Sequence, residues 1–267
     1  PYAEVIGDPI SHSKSPAIHG FWIERLGLQA RYQPCHVVAS DLGSYIAGRA
    51  QDPMWRGCNV TIPHKLSIID HVADPGDVRH SIGAMTTDAR DAGGRIFGTN
   101  TEAAGIMAPL AEVDLESVPV AVAGTGGAAH AVLFALARSG AGPVTLLARN
   151  PVKGASLLAR FGLKGEVKAL GSRLPPVQML VNATSLGMTG QQELPVDLST
   201  LPDDAIVYDI VYSPIETPLL RQARDFGLAT VDGLDMLIGQ AALAFELFFG
   251  AAPPAECEDE LRELLLA

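Results

Sequence analysis

The chain has 267 residues, 48% of them hydrophobic and 18% charged, enough for one large domain or two modest ones with packed cores. A formal net charge of −11, 6% aromatic residues and no basic run speak against nucleic acid as a partner, and no apolar run reaches the length of a membrane span. Cys35, Cys58 and Cys257 are odd in number and scattered, which leaves no disulfide framework or zinc pattern, and with no signal-peptide pattern the expected compartment is the cytoplasm.

The first predicted strand is Tyr2 to Ile6, ended by Gly7-Asp-Pro9. After the loop Ile10-Ser-His-Ser-Lys-Ser15, Ser15 is the expected N-cap of a helix with Pro16 at its first position, running to about Leu26 and stopping at Gly27. A strand is expected over Arg31 to Val38 and a helix capped by Ser40-Asp41 through about Ala50. Gly57-Cys-Asn-Val-Thr61 reads as a short strand, and Pro63 as the opening of a helix carrying Lys65, Ile68 and Ile69. Asp91-Ala-Gly-Gly94, between two short strands, is a hairpin signal. Thr101 then caps a helix whose apolar face is Ile106, Met107 and Leu110.

Val118 to Arg149 reads as one βαβ unit: a short valine-rich strand, the turn Gly124-Thr-Gly-Gly-Ala-Ala129, a helix ending at Gly140, and a second buried strand. The turn has the form G-x-G-x-x-A. Gly124 permits the tight exit from the strand, Gly126 lets a pyrophosphate approach the backbone, and Ala129 lets the helix pack close. Free N–H groups at the helix N-terminus, around Gly127 and Ala128, then face the phosphates, with Thr125 in the same turn. An NAD site places an acidic residue about 20 residues past the turn, for the ribose 2′-hydroxyl. Here Ala148-Arg149-Asn150-Pro151-Val152-Lys153 stands at the end of the second strand. Arg149 and Lys153 suit a 2′-phosphate, so the expected cofactor is NADP(H).

Alternation continues afterwards. A helix is expected from Pro151 to Phe161, and strands over Glu166 to Leu170, Gln178 to Asn182, Ala205 to Asp209 and Ala229 to Asp232. Helices are expected from Thr217-Pro218 to Phe226, from Leu234 to Phe249 and from Glu256 to Leu266. The fold class is α/β, with two α/β domains, the second a Rossmann-like dinucleotide-binding domain, and an interdomain cleft. The expected division is 1–100 plus 238–267 for the substrate-binding and catalytic domain, and 101–237 for the NADP-binding domain. The seven histidines form no metal pattern.

Ser13, Ser15, Asn59, Thr61, Lys65 and Glu102 collect at predicted strand ends and turns of the first part. With them, the strings Ser11-His-Ser-Lys-Ser-Pro16, Asn59-Val-Thr-Ile-Pro-His-Lys65, Gly98-Thr-Asn-Thr-Glu102, Asn182-Ala-Thr-Ser-Leu-Gly187, Tyr208-Asp-Ile-Val-Tyr212 and Asp232-Gly-Leu-Asp-Met-Leu-Ile-Gly-Gln240 follow in order along almost the whole chain. In these strings the chain resembles the shikimate dehydrogenase family.

The resemblance implies reversible, NADP-dependent reduction of the ketone of 3-dehydroshikimate to the shikimate hydroxyl. It implies Lys65 as proton donor and acceptor with Glu102 as its carboxylate partner, Ser13 and Ser15 on the substrate carboxylate, and Thr61 and Gln240 on ring hydroxyls. Asn59, Thr86 and Tyr212 join the substrate set. Asn182 to Ser185, with Thr184 among them, Val211, Tyr212 and Gly233 line the nicotinamide side. The chemistry suits these residue types: hydride transfer to a ketone builds an alkoxide, and an ammonium supplies both a proton and a positive charge. Near the cofactor, Ala148 stands where the family usually has asparagine and Lys153 where it often has arginine, so NADP preference with a reduced phosphate grip is expected. Two further positions depart from the family pattern at the substrate. Glu102 stands for an aspartate and Thr86 for an asparagine, in Gly83-Ala-Met-Thr-Thr87. Those departures leave two alternatives open: a paralogue acting on quinate or an amino-shikimate, and a weakly active protein that binds dinucleotide and a small acid. The expected partner is the small-molecule substrate, with the chain a monomer or homodimer.

Overall fold

A computed structural model describes residues 1–266; Ala267, the last residue of the expected 238–267 segment, lies outside the described residues. The chain divides into two compact units, Pro1–Glu102 with Ile238–Ala267, and Ala103–Leu237.

In the first unit the elements run β1 (Tyr2–Gly7), α1 (Ser15–Arg25), β2 (Arg31–His36), α2 (Leu42–Ala50), β3 (Trp55–Val60), α3 (Val78–Ser81), β4 (Thr87–Arg90) and β5 (Ile96–Thr99). The sheet order is β2-β1-β3-β4-β5. The helical crossovers make β2, β1 and β3 parallel, and the hairpin at Asp91 to Gly94 turns β4 and β5 antiparallel. Its tip is closed by Asp91, whose carboxylate accepts from the N–H groups of Gly93 and Arg95, both at 2.9 Å.

Two local expectations change here. Ser15 is the first residue of α1 and Lys14 its N-cap, with no side-chain capping bond. The helix expected from Pro63 does not form: residues 62–67 are turns, followed by a single 3-10 turn at Ile68–Asp70. The reason is a competing partner. The Met85 N–H donates to the Lys65 carbonyl at 2.8 Å, an acceptor that an α-helix would have kept for itself. That bond stitches the Lys65 segment to the residues leading into β4.

β4 also carries a buried acid that no sequence pattern marks. Asp88 is fully buried, and its Oδ1 has no hydrogen-bond partner. Burial holds its carboxyl well above the usual carboxylate range. A group raised in the fold stabilises fully below its unfolded value, about 3.9, and that stability is lost as pH rises. Asp88→Asn therefore becomes increasingly favourable relative to wild type as pH rises from 4 to 8 in thermal melts. A variant that melts below wild type by a constant margin across that range contradicts this.

α4 (Glu102–Met107) leads from the first unit into the second, followed by β6 (Val120–Ala123), α5 (Gly127–Arg138), β7 (Val144–Leu147), α6 (Pro151–Arg160), β8 (Gly165–Lys168), β9 (Met179–Asn182), β10 (Ile206–Asp209), α7 (Pro218–Asp225) and β11 (Ala229–Val231). α8 (Gly233–Phe249) passes back into the first unit, where α9 (Glu258–Leu266) ends the described chain. The six strands are all parallel in the order β11-β10-β9-β6-β7-β8. Read from β6 outward this is the 3-2-1-4-5-6 order of doubly wound dinucleotide folds, with its switch point between β6 and β9. Every residue of β6, β7 and β9 is buried, as helices on both sheet faces require. One core lies under α5 with Val120, Val122, Leu133 and Leu146, the other under α7 with Ala121, Leu180, Val207 and Leu220. No described helix is long and apolar enough to cross a membrane.

Candidate active site

In the first unit the structure brings Lys65 and Glu102 together. Lys65 Nζ donates to both carboxylate oxygens of Glu102, at 2.7 and 2.8 Å. The side chains are only 13% and 4% exposed, so the pair is far less screened than a surface ion pair. Glu102 starts α4 directly after β5, and Lys65 is held by the Met85 bond described above. The extra methylene of Glu102 therefore does not part the carboxylate from the ammonium. Two of the three Nζ protons are engaged by Glu102, which leaves one for a further acceptor.

A buried chain of hydroxyls and one amide lies behind the pair. Thr86 Oγ1 accepts from the Thr101 N–H at 3.0 Å, beside Glu102. The Thr101 and Thr87 hydroxyls meet at 2.9 Å. Asn59 Nδ2 donates to Thr87 Oγ1 at 3.2 Å, and its Oδ1 accepts from the Tyr32 hydroxyl at 2.6 Å. Strand register makes this possible, because Asn59 pairs with Thr87 across β3 and β4, and Thr87 with Thr99 across β4 and β5. Asn59 and Thr86 were expected among substrate contacts; in this structure both are buried and use their polar groups inward. Sequence reasoning missed Tyr32 and Thr87, since nothing local announces a partner that only register supplies.

Ser13 and Ser15 lie in the turn into α1, Ser13 Oγ accepting from the Ser15 N–H at 3.3 Å. Thr61 follows β3 and is half-buried, as is Gln240 in α8. His64, beside Lys65, is not on a helix; it is fully buried with Nε2 2.7 Å from the Val37 carbonyl oxygen. Among the described residues no group of three or more His, Cys, Asp or Glu is placed to hold a metal ion.

In the second unit the glycine turn lies at the carboxyl ends of β6 and β9. Gly124 has φ +115°, and a Cβ there would lie 2.7 Å from the Ala183 carbonyl oxygen, so both backbone and packing demand glycine. Gly126 is different. It is exposed, it caps α5 with φ −87°, and a Cβ there would meet no protein atom within 4 Å. The fold itself does not need glycine at 126; open space over the first turn of a twelve-residue helix fits an approaching pyrophosphate. Thr125, Gly127 and Ala128 are half-buried around it, and His130 is buried with its ring edge-to-face on Phe161 at 6.1 Å.

Arg149 and Lys153 are exposed at the end of β7 and the start of α6, where their charges can meet a 2′-phosphate. Asn150 is the N-cap of α6, its Oδ1 accepting from the Lys153 N–H at 3.1 Å. Thr184 is half-buried after β9, Val211 and Gly233 are buried, and Tyr212 is half-buried. The residues of the dinucleotide turn thus fit NADP(H) sterically and in charge.

Residues 5–87 match the shikimate dehydrogenase substrate binding domain, and residues 233–257 the shikimate 5'-dehydrogenase C-terminal domain. The chain is 64% identical over 267 residues to a shikimate dehydrogenase (NADP(+)) of Sphingopyxis alaskensis, covering 100% of this chain and 97% of that protein. Among solved structures, shikimate 5-dehydrogenase from Thermus thermophilus, in complex with NADP(H) and shikimate, superposes with TM-score 0.87 at 33% identity, covering 99% of each chain. A 5-ketofructose reductase of Gluconobacter superposes with TM-score 0.87 at 28% identity, covering 99% of this chain and 98% of that one.

Proposed function

This chain belongs to the shikimate dehydrogenase family, and on that premise we propose that it is a cytoplasmic NADP-dependent oxidoreductase that interconverts 3-dehydroshikimate and shikimate. The observation that carries the reading is the Lys65–Glu102 pair, a half-buried ammonium on a buried carboxylate with one proton left to give.

Bound NADPH supplies the hydride that reduces the ketone carbon. The chain's own task is the oxygen. As the carbonyl oxygen gains negative charge, the Lys65 ammonium stabilises it at close range and passes it a proton. In the oxidative direction the neutral amine takes the hydroxyl proton. Glu102 fixes the position of Nζ through both of its oxygens and keeps a countercharge beside it throughout. Ser13 and Ser15 hold the substrate carboxylate with hydroxyls, which leaves Lys65 as the cation at the reacting end. Arg149 and Lys153 favour the 2′-phosphate form of the dinucleotide.

Steady-state reduction of NADP+ with shikimate, beside quinate, tests the reading. Shikimate is the expected substrate, with NADP+ preferred to NAD+. A several-fold preference for quinate, or cofactor binding without turnover of either acid, contradicts it. The geometry of the pair also sets the sign of one substitution. Because Glu102 already reaches Nζ with both oxygens, Glu102→Asp shortens a fitted contact and lowers kcat by about 10- to 100-fold. An equal or higher kcat would show that the site does not depend on the glutamate's length.

A further inference from the structure

Asp209 is a fully buried carboxylate that the proton transfer does not use. Among the described residues no ion pair is recorded for it, and its hydrogen-bond partners are the uncharged Asn182, Val211 and Thr217. Its Oδ1 accepts from Asn182 Nδ2 at 2.9 Å and from the Val211 N–H at 3.0 Å, and its Oδ2 from the Thr217 hydroxyl at 2.7 Å. All three partners donate, so the site suits a carboxylate rather than a carboxylic acid, whose own O–H would need an acceptor. The Thr217 oxygen is itself engaged at the head of α7, accepting from the Leu220 N–H at 3.2 Å. Burial nevertheless pushes the carboxyl up to about 6, against the pull of the three donors. An unpaired buried anion is expensive, and a strand end needs none for packing alone.

What its donors hold gives the reason. Asn182 is the cross-strand neighbour of Asp209. With one amide proton fixed by Asp209, Asn182 gives the other to the Leu186 carbonyl at 2.9 Å. Its Oδ1 accepts from the Thr184 N–H at 3.0 Å and from the Thr184 hydroxyl at 2.7 Å. Thr184 Oγ1 in turn accepts from the Leu186 N–H at 3.0 Å. That loop backs directly onto the glycine turn: a Cβ at Gly124 would lie 2.7 Å from the Ala183 oxygen and 3.1 Å from Thr184 Cγ2.

We propose that Asp209 is a positioning residue for the dinucleotide, its carboxylate orienting the Asn182 amide so that the 182–186 loop stands against the glycine turn in the form that accepts the cofactor. As an amide the side chain keeps one acceptor oxygen and sets an N–H donor against the donors Asn182, Val211 and Thr217, so the Asn182 amide loses part of what orients it and the loop is freed to shift. The proposal rests on the NADP(H) reading, but its test is binding, not turnover, so the two can fail separately.

The experiment is titration of the full chain with NADPH, followed by cofactor fluorescence, for wild type, Asp209→Asn and Thr217→Val. Asp209→Asn raises the NADPH Kd at least about tenfold. In steady state its KM for 3-dehydroshikimate at saturating NADPH stays within about threefold of wild type, because the Lys65–Glu102 pair is untouched. Thr217→Val removes one donor and keeps the carboxylate, so its Kd rises by a smaller factor; it carries the test if Asp209→Asn does not fold. Unchanged NADPH affinity in the folded variants, with only a lower Tm, would make Asp209 a structural residue and overturn the proposal.

Discussion

Lys65→Ala is expected to reduce kcat for 3-dehydroshikimate reduction by about 10³-fold or more while NADPH affinity stays within about twofold of wild type. The first part follows from the geometry: Nζ sits 2.7 and 2.8 Å from the two Glu102 oxygens with one proton unassigned. The second follows from the division of labour, since the glycine turn lies in the other unit. Alanine also strands a buried carboxylate, because the Glu102 side chain is 4% exposed. Removing one partner of a buried pair costs about 3–5 kcal/mol, so a lower Tm is expected too and could be mistaken for the cause of inactivity. The double variant Lys65→Met, Glu102→Gln separates the effects. It removes both charges at similar volume, so Tm recovers while turnover does not. Recovery of turnover with Tm would assign the pair a structural role only.

The second large effect is at the glycine turn. Gly126→Val should raise the NADPH Kd by about 100-fold and leave Tm within a few degrees, because the Cβ it adds would meet no protein atom within 4 Å. Gly124→Ala should do the reverse in the first instance and lower Tm sharply. It forces a Cβ to 2.7 Å from the Ala183 oxygen at φ +115°, where an L side chain is strained whatever the space. Two glycines two residues apart are thus predicted to fail for different reasons, one through the ligand and one through the fold. Equal losses of stability at both positions would mean that Gly126 serves packing, and that the open space above it is not a phosphate site.

Much of this architecture could be read from residue patterns, because the signals were local. The βαβ unit showed in a valine run, a glycine turn and a helix-forming stretch, and β6, α5 and β7 fall there. Thr217 and Asn150 both cap helices with Pro next in line, as their residue types suggest. What could not be read depends on partners far along the chain. The Pro63 helix was lost to a bond between Lys65 and Met85, a competition invisible to propensity. Asn59 turns inward because β3, β4 and β2 bring Thr87 and Tyr32 to it. Asp209 was only a polar strand end until register set it beside Asn182. Asp88 stands in the largely polar run Thr87-Asp-Ala-Arg90, which would suit a solvent-facing strand, yet its first three residues are buried.

Glu102 shows how a departure from a family pattern can be accommodated without loss of geometry. Considered alone, one more methylene predicts a misplaced carboxylate. Here the Thr86 hydroxyl takes the Thr101 N–H, and the next residue begins α4 with its carboxylate already on Lys65. The relevant comparison is therefore the set Thr86, Thr101 and Glu102 together, whose effects are not additive.

The most direct measurement is a crystal structure of the chain with NADP+ and shikimate bound. The account predicts that Lys65 Nζ lies within about 2.6–3.2 Å of the hydroxyl that is oxidised, with Glu102 still on the same nitrogen. A shikimate hydroxyl beyond hydrogen-bond reach of that nitrogen, with another side chain or only water in its place, would contradict it.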